Sequence, residues 1–126
     1  MAFERTPFDD WMDEHAALVD GKWFYGRVAG TDRVNENKMS RQASIGTLVP
    51  QDELRLEPEP GNSYDPNAVK VLAPDGNQIG YLEARLAAET TRRAKRGIPT
   101  RAFVSNLTGR PGQTRGVTIA VLVLVS

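Results

Sequence analysis

Tyr64 and Asp65 stand side by side between Pro60 and Pro66, in the run Glu57-Pro58-Glu59-Pro60-Gly61-Asn62-Ser63-Tyr64-Asp65-Pro66-Asn67. A tyrosine carried on a turn offers a stacking face and a hydroxyl, and an ionised aspartate offers acceptors only. The same pair also suits a structural role, in which Asp65-Pro66 makes an Asx-type turn and Tyr64 packs on the lip of the fold. Glu57, Glu59 and Asp65 would supply enough carboxylates for metal-dependent nuclease chemistry. Against that, Glu57 and Glu59 share one strand face and run into prolines, with no His or Lys placed beside them. The single histidine, His15, falls on the apolar face of a predicted helix, where a core-edge role suffices. The 126 residues contain no phosphate-cradling Gly-Lys-Ser/Thr motif, so they carry no ATP-driven activity of that type. These residues therefore point to binding rather than catalysis, and no metal or cofactor is expected.

Composition fits one globular domain with a modest core: 40% hydrophobic and 25% charged residues are ordinary values. The absence of cysteine removes disulfides and thiolate metal sites and suits a reducing cytoplasm, the expected location. No apolar run approaches the ~20 residues of a membrane span. The formal net charge of zero argues against nonspecific binding to long nucleic acid. The charge is unevenly placed, however. Residues 80–126 hold eight basic and two acidic residues, a net of +6, and residues 1–79 hold eight basic and fourteen acidic, a net of −6. Either a local basic patch results, or the two halves intermingle and cancel.

The elements that must position Tyr64 and Asp65 follow from periodicity. Thr6 and Pro7 open a predicted helix with Phe8, Trp11, Met12, His15, Leu18 and Val19 at helical spacing, and Gly21 can end it. Residues 1–21 are thus an N-terminal helical extension, expected to dock on the rest of the chain, and 22–126 form the main domain. Lys22–Ala29 reads as a strand, and Thr31–Ser40 as a polar loop. For Arg41–Leu48 the pattern allows a helical turn or a strand. Asp52–Glu57 alternates as a half-buried strand, and Ala68–Leu72 and Gln78–Leu82 are strands joined by Pro74-Asp75-Gly76-Asn77, a hairpin signal. Ala84–Arg96 is helical and closed by Gly97 and Pro99; Thr100–Leu107 and the apolar Val117–Val125 are two more strands. The sum is a mainly β fold with two helices and about six strands, a small curved antiparallel barrel. Periodicity alone allows an SH3-like barrel equally well.

Residues Glu59-Pro60, Asn62, Tyr64-Asp65, Asn67-Ala68-Val69-Lys70-Val71, Gly76, Ile79-Gly80-Tyr81-Leu82 and Leu86-Ala87 match, in order and spacing, the signature of the HIRAN domain. The chain resembles that family over about residues 26–125. The resemblance implies a six-stranded modified OB-like β-barrel and a non-catalytic module that binds single-stranded DNA ends in replication or repair, with a helicase or other repair protein supplied in trans. By matching positions, Tyr64 and Asp65 would meet the terminal nucleotide carrying a free 3′-hydroxyl. A carboxylate accepts from a hydroxyl and repels a continuing phosphate. Tyr81, where the helicase member has histidine, keeps an aromatic surface. Arg33 is the nearest candidate for a backbone-binding arginine, with Lys38 and Arg41 as backups, and Arg85, Arg110 and Arg115 are further phosphate candidates. The tyrosines that the helicase member carries after its first strand are absent here, so a second stacking ring would come from Trp23 or Tyr25. Leu107 lies near another ring position. The alternative is a protein-interaction module on the same barrel, stripped of most DNA contacts, with the N-terminal helix as its contact.

Overall fold

A computed structural model describes residues 9–14, 21–110 and 112–124. Six antiparallel strands close into a barrel: β1 (Gly21–Ala29), β2 (Glu53–Pro58), β3 (Val69–Leu72), β4 (Gln78–Leu82), β5 (Thr100–Leu107) and β6 (Val117–Leu124), in the spatial order β1-β4-β3-β2-β5-β6. Two helices are inserted, α1 (Arg41–Ile45) and α2 (Ala84–Lys95), and residues 9–14 are also helical. The expected fold class is therefore found, with α1 settling the ambiguous Arg41–Leu48 stretch as a helix. Thr6, Pro7, Phe8, His15, Leu18 and Val19 lie outside the described residues. Gly21 is the first residue of β1, and where the helix before it ends lies outside the described residues.

Closure depends on β1 serving two neighbours. It pairs with β6 from Gly21↔Leu124 to Arg27↔Thr118, then turns to β4 through Val28↔Leu82 and Ala29↔Tyr81. At that turn the barrel wall pinches. A Cβ on Gly80, whose φ is +155°, would strike the Ala29 carbonyl and the Val28 side chain. Gly80 thus lets β4 approach β1 at the junction that places Tyr81.

The core is filled by inward residues of every strand: Val28, Leu54, Val69, Val71, Ile79, Leu82, Val104, Ile119 and Val121. α2 contributes Leu86 and Ala87, and α1 contributes Ile45. The apolar run of β6 from Ile119 to Leu124 has a physical reason, since its outer face is also covered. Met12 (4% exposed) packs with Ala120 there, beside Trp11 and Trp23. Trp11 meets Phe103 edge-on at 4.9 Å, and the Trp23 indole N–H donates to the Met12 carbonyl at 2.6 Å. The helical segment is consequently docked on the barrel. Met12→Ala is expected to destabilise the protein by about 2–4 kcal/mol, read as a lower urea midpoint at unchanged m-value.

Candidate nucleic-acid interface

Three segments converge at the β1–β4 junction: the loop after β1, the Glu59–Asn67 turn, and the exit of β4. Turn chemistry builds the first. Gly30 (φ +71°) reverses the chain, Arg33 N–H bonds back to the Gly30 carbonyl, and an isolated Val34↔Ser40 bridge closes the loop with Lys38 at φ 67°. Arg41 locks it. The residue is only 6% exposed, and its guanidinium donates Nη1–H to the Gly30 carbonyl (2.7 Å) and Nε–H to Asn35 Oδ1 (2.8 Å). Asn35 in turn donates to the Gln78 carbonyl at 2.8 Å, tying the loop to β4. Burial pushes the Arg41 pKa down, yet arginine keeps its charge, and that cation lies 5.6 Å from the Tyr81 ring centre.

Glu59 organises the second segment. Its Oε2 pairs with Lys70 Nζ at 2.9 Å, and Oε1 accepts from Asn62 Nδ2 (2.8 Å) and from the Tyr81 hydroxyl (3.1 Å). Lys70 foremost, then Asn62 and Tyr81, hold its carboxyl below the usual glutamate value, and Glu59 raises that of Lys70. Asn62 Oδ1 accepts the backbone N–H groups of Tyr64 (2.8 Å) and Asp65 (2.9 Å). Asp65 Oδ1 accepts the Asn67 N–H at 2.9 Å, the Asx turn that the Asp-Pro step foreshadows. One carboxylate thus reaches, through Asn62, the turn that presents Tyr64.

Because the Glu59 carboxyl is depressed, its contribution to stability is complete above about pH 4.3, the ordinary glutamate value, and is lost as pH falls through its lower folded value. Glu59→Gln is expected to flatten the decline of Tm with acidification in that range, measured by thermal melts from about pH 6 to 3.

Between these segments opens a cleft of about 960 Å³. Arg33, Arg41, Asn62, Tyr64 and Tyr81 line it together with the carboxylates of Asp32 and Glu59. Tyr64 is 97% exposed. A smaller cleft of about 420 Å³ adjoins it, sharing Arg41 and Tyr81 and continuing over Asn35, Lys70 and Gln78. Of the residues expected at the site, Tyr64, Tyr81 and Arg33 meet in the main cleft. Asp65 lies next to Tyr64 but outside that lining. Arg85 is exposed at the start of α2 and Arg110 on the β5–β6 loop, away from the cleft lining. Arg115 lines a separate depression with Gln42 and Thr114. That depression is nevertheless coupled to the Arg33 loop, because Gln42 Nε2 donates to the carbonyls of Thr31 (2.8 Å) and Arg115 (2.9 Å).

Other expectations resolve differently. Trp23 packs on Trp11 and Phe103, and Tyr25 bonds the Met12 sulfur, so neither supplies a ring to the cleft. Leu107 packs against the core. Glu57 lines the smaller cleft and Glu59 the larger one, and among the described residues no three carboxylate or imidazole groups converge as a metal site. Part of the basic excess is compensated: Arg101 makes a two-pronged pair with Glu53, and Arg93 pairs with Glu89 at 3.3 Å. No described helix is long and apolar enough to cross a membrane. Glu59 and Arg41 are the organising residues that sequence reasoning underweighted. A signal for Glu59 was the Glu59-x-x-Asn62 spacing inside a turn; Arg41 carried none, because its partners lie elsewhere in the chain.

Residues 23–120 match the family model of the HIRAN domain. The chain belongs to the HIRAN family. It is 46% identical over 88 residues to the helicase-like transcription factor of Oryctolagus cuniculus and 35% identical over 88 residues to that of Mus musculus, in each case over 65% of this chain. The match spans about 7% of the length of those relatives. The crystal structure of the HIRAN domain of human HLTF superimposes with a TM-score of 0.61 at 20% identity, over 80% of this chain and 74% of that one. A crystal structure of a Lactobacillus plantarum protein gives 0.62 at 21% identity, over 82% and 98%. The HIRAN match begins inside β1, so the docked helical segment 9–14 lies outside it.

Proposed function

We propose that this HIRAN domain is a non-catalytic module that binds the 3′ end of single-stranded DNA in the cleft between Tyr64, Tyr81 and Arg33. The observation that carries the reading is the exposure of Tyr64: a 97% exposed ring, held out by Asn62 and facing a cleft that also presents Tyr81 and two arginines. Unpaired bases stack on such rings, and guanidinium groups take the phosphates. Asp32 and Glu59 make the cleft poorly suited to a long polyanion and better suited to a chain end, where charge is lowest. Asp65, anchored through Asn67, accepts the 3′-hydroxyl, and Arg85, Arg110 and Arg115 guide the strand from further out. The domain would act in DNA replication or repair in the cytoplasm, alongside a helicase or other repair protein supplied in trans.

Fluorescence anisotropy with short oligonucleotides ending in a 3′-hydroxyl or a 3′-phosphate tests this. Tighter binding of the 3′-hydroxyl form is expected, and Asp65→Ala is expected to erase the preference. No binding even at low salt, where phosphate contacts are strongest, would overturn the reading. That outcome would favour a protein-interaction module on the same barrel, the reading suggested by only two rings lining the cleft and by its two carboxylates.

A further inference from the structure

The cleft of about 420 Å³ has no part in the end-binding reading, although it meets the main cleft at a shared wall of Arg41 and Tyr81. Arg41 is 6% exposed, with Nε committed to Asn35 and Nη1 to the Gly30 carbonyl. Its Nη2 makes no hydrogen bond among the described residues. A guanidinium fixed in place with one edge unused, set between two cavities, suits the phosphodiester that joins two nucleotides. With the terminal nucleotide in the main cleft, the nucleotide before it falls in the smaller one.

The smaller cleft has the make-up of a base slot. Glu57 pairs directly with Lys70, and Lys70 with Tyr81, so the three side chains stand in one row across β2, β3 and β4. The row spans roughly 10 Å, two strand spacings, a reach that suits a two-ring base. Val34, left 63% exposed, and Leu72 add apolar surface for the face of a base. Lys70 is engaged by Glu59 at 2.9 Å, and Glu36 also lies close enough to raise its pKa. Glu57 is different: it is exposed, and its carboxylate makes no hydrogen bond or ion pair among the described residues. An ionised carboxylate offers two acceptors and no donor. Of the four DNA bases only guanine carries two adjacent donors, N1–H and N2–H, on its Watson–Crick edge.

We infer that this cleft is a base-reading subsite that selects guanine at the nucleotide next to the 3′ end. Glu57 accepts guanine N1–H and N2–H together, and the unused edge of Arg41 holds the connecting phosphate. The inference rests on the 3′-end reading and adds a sequence preference to it. At adenine and cytosine the second carboxylate oxygen would face a ring-nitrogen acceptor, and at thymine a carbonyl. Those bases are disfavoured by repulsion as well as by the missing contact.

The test uses the full chain and fluorescein-labelled oligothymidylates that end in a 3′-hydroxyl thymidine and differ only in the base before it. The guanine strand is expected to bind at least about fivefold more tightly than the adenine, cytosine and thymine strands, the lower end of what a two-point contact to a base edge provides. Adenine controls for purine stacking. Deoxyinosine, which keeps N1–H and lacks the amino group, is expected to lose most of the preference. Glu57→Gln is a surface change that leaves one acceptor of two, and it is expected to bring the guanine-to-thymine affinity ratio to about one. Its urea midpoint should match that of the parent, which separates lost reading from a damaged fold. Equal binding of all four strands, with the preference for a 3′-hydroxyl over a 3′-phosphate intact, overturns this inference and leaves the end-binding reading standing. A guanine preference that survives Glu57→Gln, or that deoxyinosine reproduces, overturns it as well. No binding of any strand at low salt overturns both readings.

Discussion

Tyr64→Ala is expected to weaken binding of a 3′-hydroxyl oligonucleotide by roughly 5- to 150-fold, the loss of about 1–3 kcal/mol that stacking on one base provides. The same change should leave stability within about 0.5 kcal/mol, because the side chain is almost wholly in solvent and packs against nothing in the barrel. That combination identifies a residue held out for a ligand rather than for the fold. Tyr64→Trp keeps a stacking face and is expected to retain most of the affinity. Anisotropy titrations paired with urea melts on the three proteins decide the matter. An alanine variant that binds as well as the parent would remove the cleft from consideration, whatever the fold resembles.

Gly80→Ala is expected to destabilise the protein by about 3–5 kcal/mol, or to prevent folding altogether. The added methyl would meet the Ala29 carbonyl and the Val28 side chain, at a φ of +155° that side chains rarely adopt. Relief by local movement is limited, because β1 is held along its other edge by β6 and Gly80 itself pairs with Val71 of β3. A domain of this size holds about 5–15 kcal/mol in all, so the loss falls near the threshold of folding. Gly76 provides the contrast. Its φ is +87° and a Cβ there meets nothing, so Gly76→Asn, a residue that tolerates this turn conformation, is expected to cost under about 1 kcal/mol. Equilibrium urea unfolding of both variants separates steric closure of the barrel from ordinary turn preference. Because Tyr81 follows Gly80 directly, any folded Gly80→Ala protein should also bind DNA more weakly.

Much of the local structure was legible. The alternation of Leu54 and Leu56, the Asp75-Gly76 hairpin and the Gly97 stop after α2 follow from side-chain period and turn chemistry, which act over a few residues. The apolar run of β6 announced burial but not its cause, which is Met12 and Trp11 packing from about a hundred residues earlier. The Arg41–Leu48 stretch was undecidable because its dominant contacts are distant: Arg41 is buried against Gly30 and Asn35, and Ser44 donates to Asp75 Oδ2 at 3.0 Å.

The site divides the same way. The sequence by itself determined that Tyr64 and Asp65 occupy a rigid turn, since prolines, Asn62 and an Asx step restrict that segment whatever surrounds it. It also placed Gly80 and Tyr81 at the end of a strand. Only the tertiary structure decided which cations share the cleft with Tyr64. Arg33 and Arg41 reach it because the loop after β1 folds back over β4, whereas Arg85, Arg110 and Arg115 lie on other surfaces. It also decided that Trp23 and Tyr25 serve the docked helical segment instead. Spacing along a chain fixes backbone conformation, but the meeting of side chains 22 residues apart, as Glu59 meets Tyr81, depends on how the barrel closes.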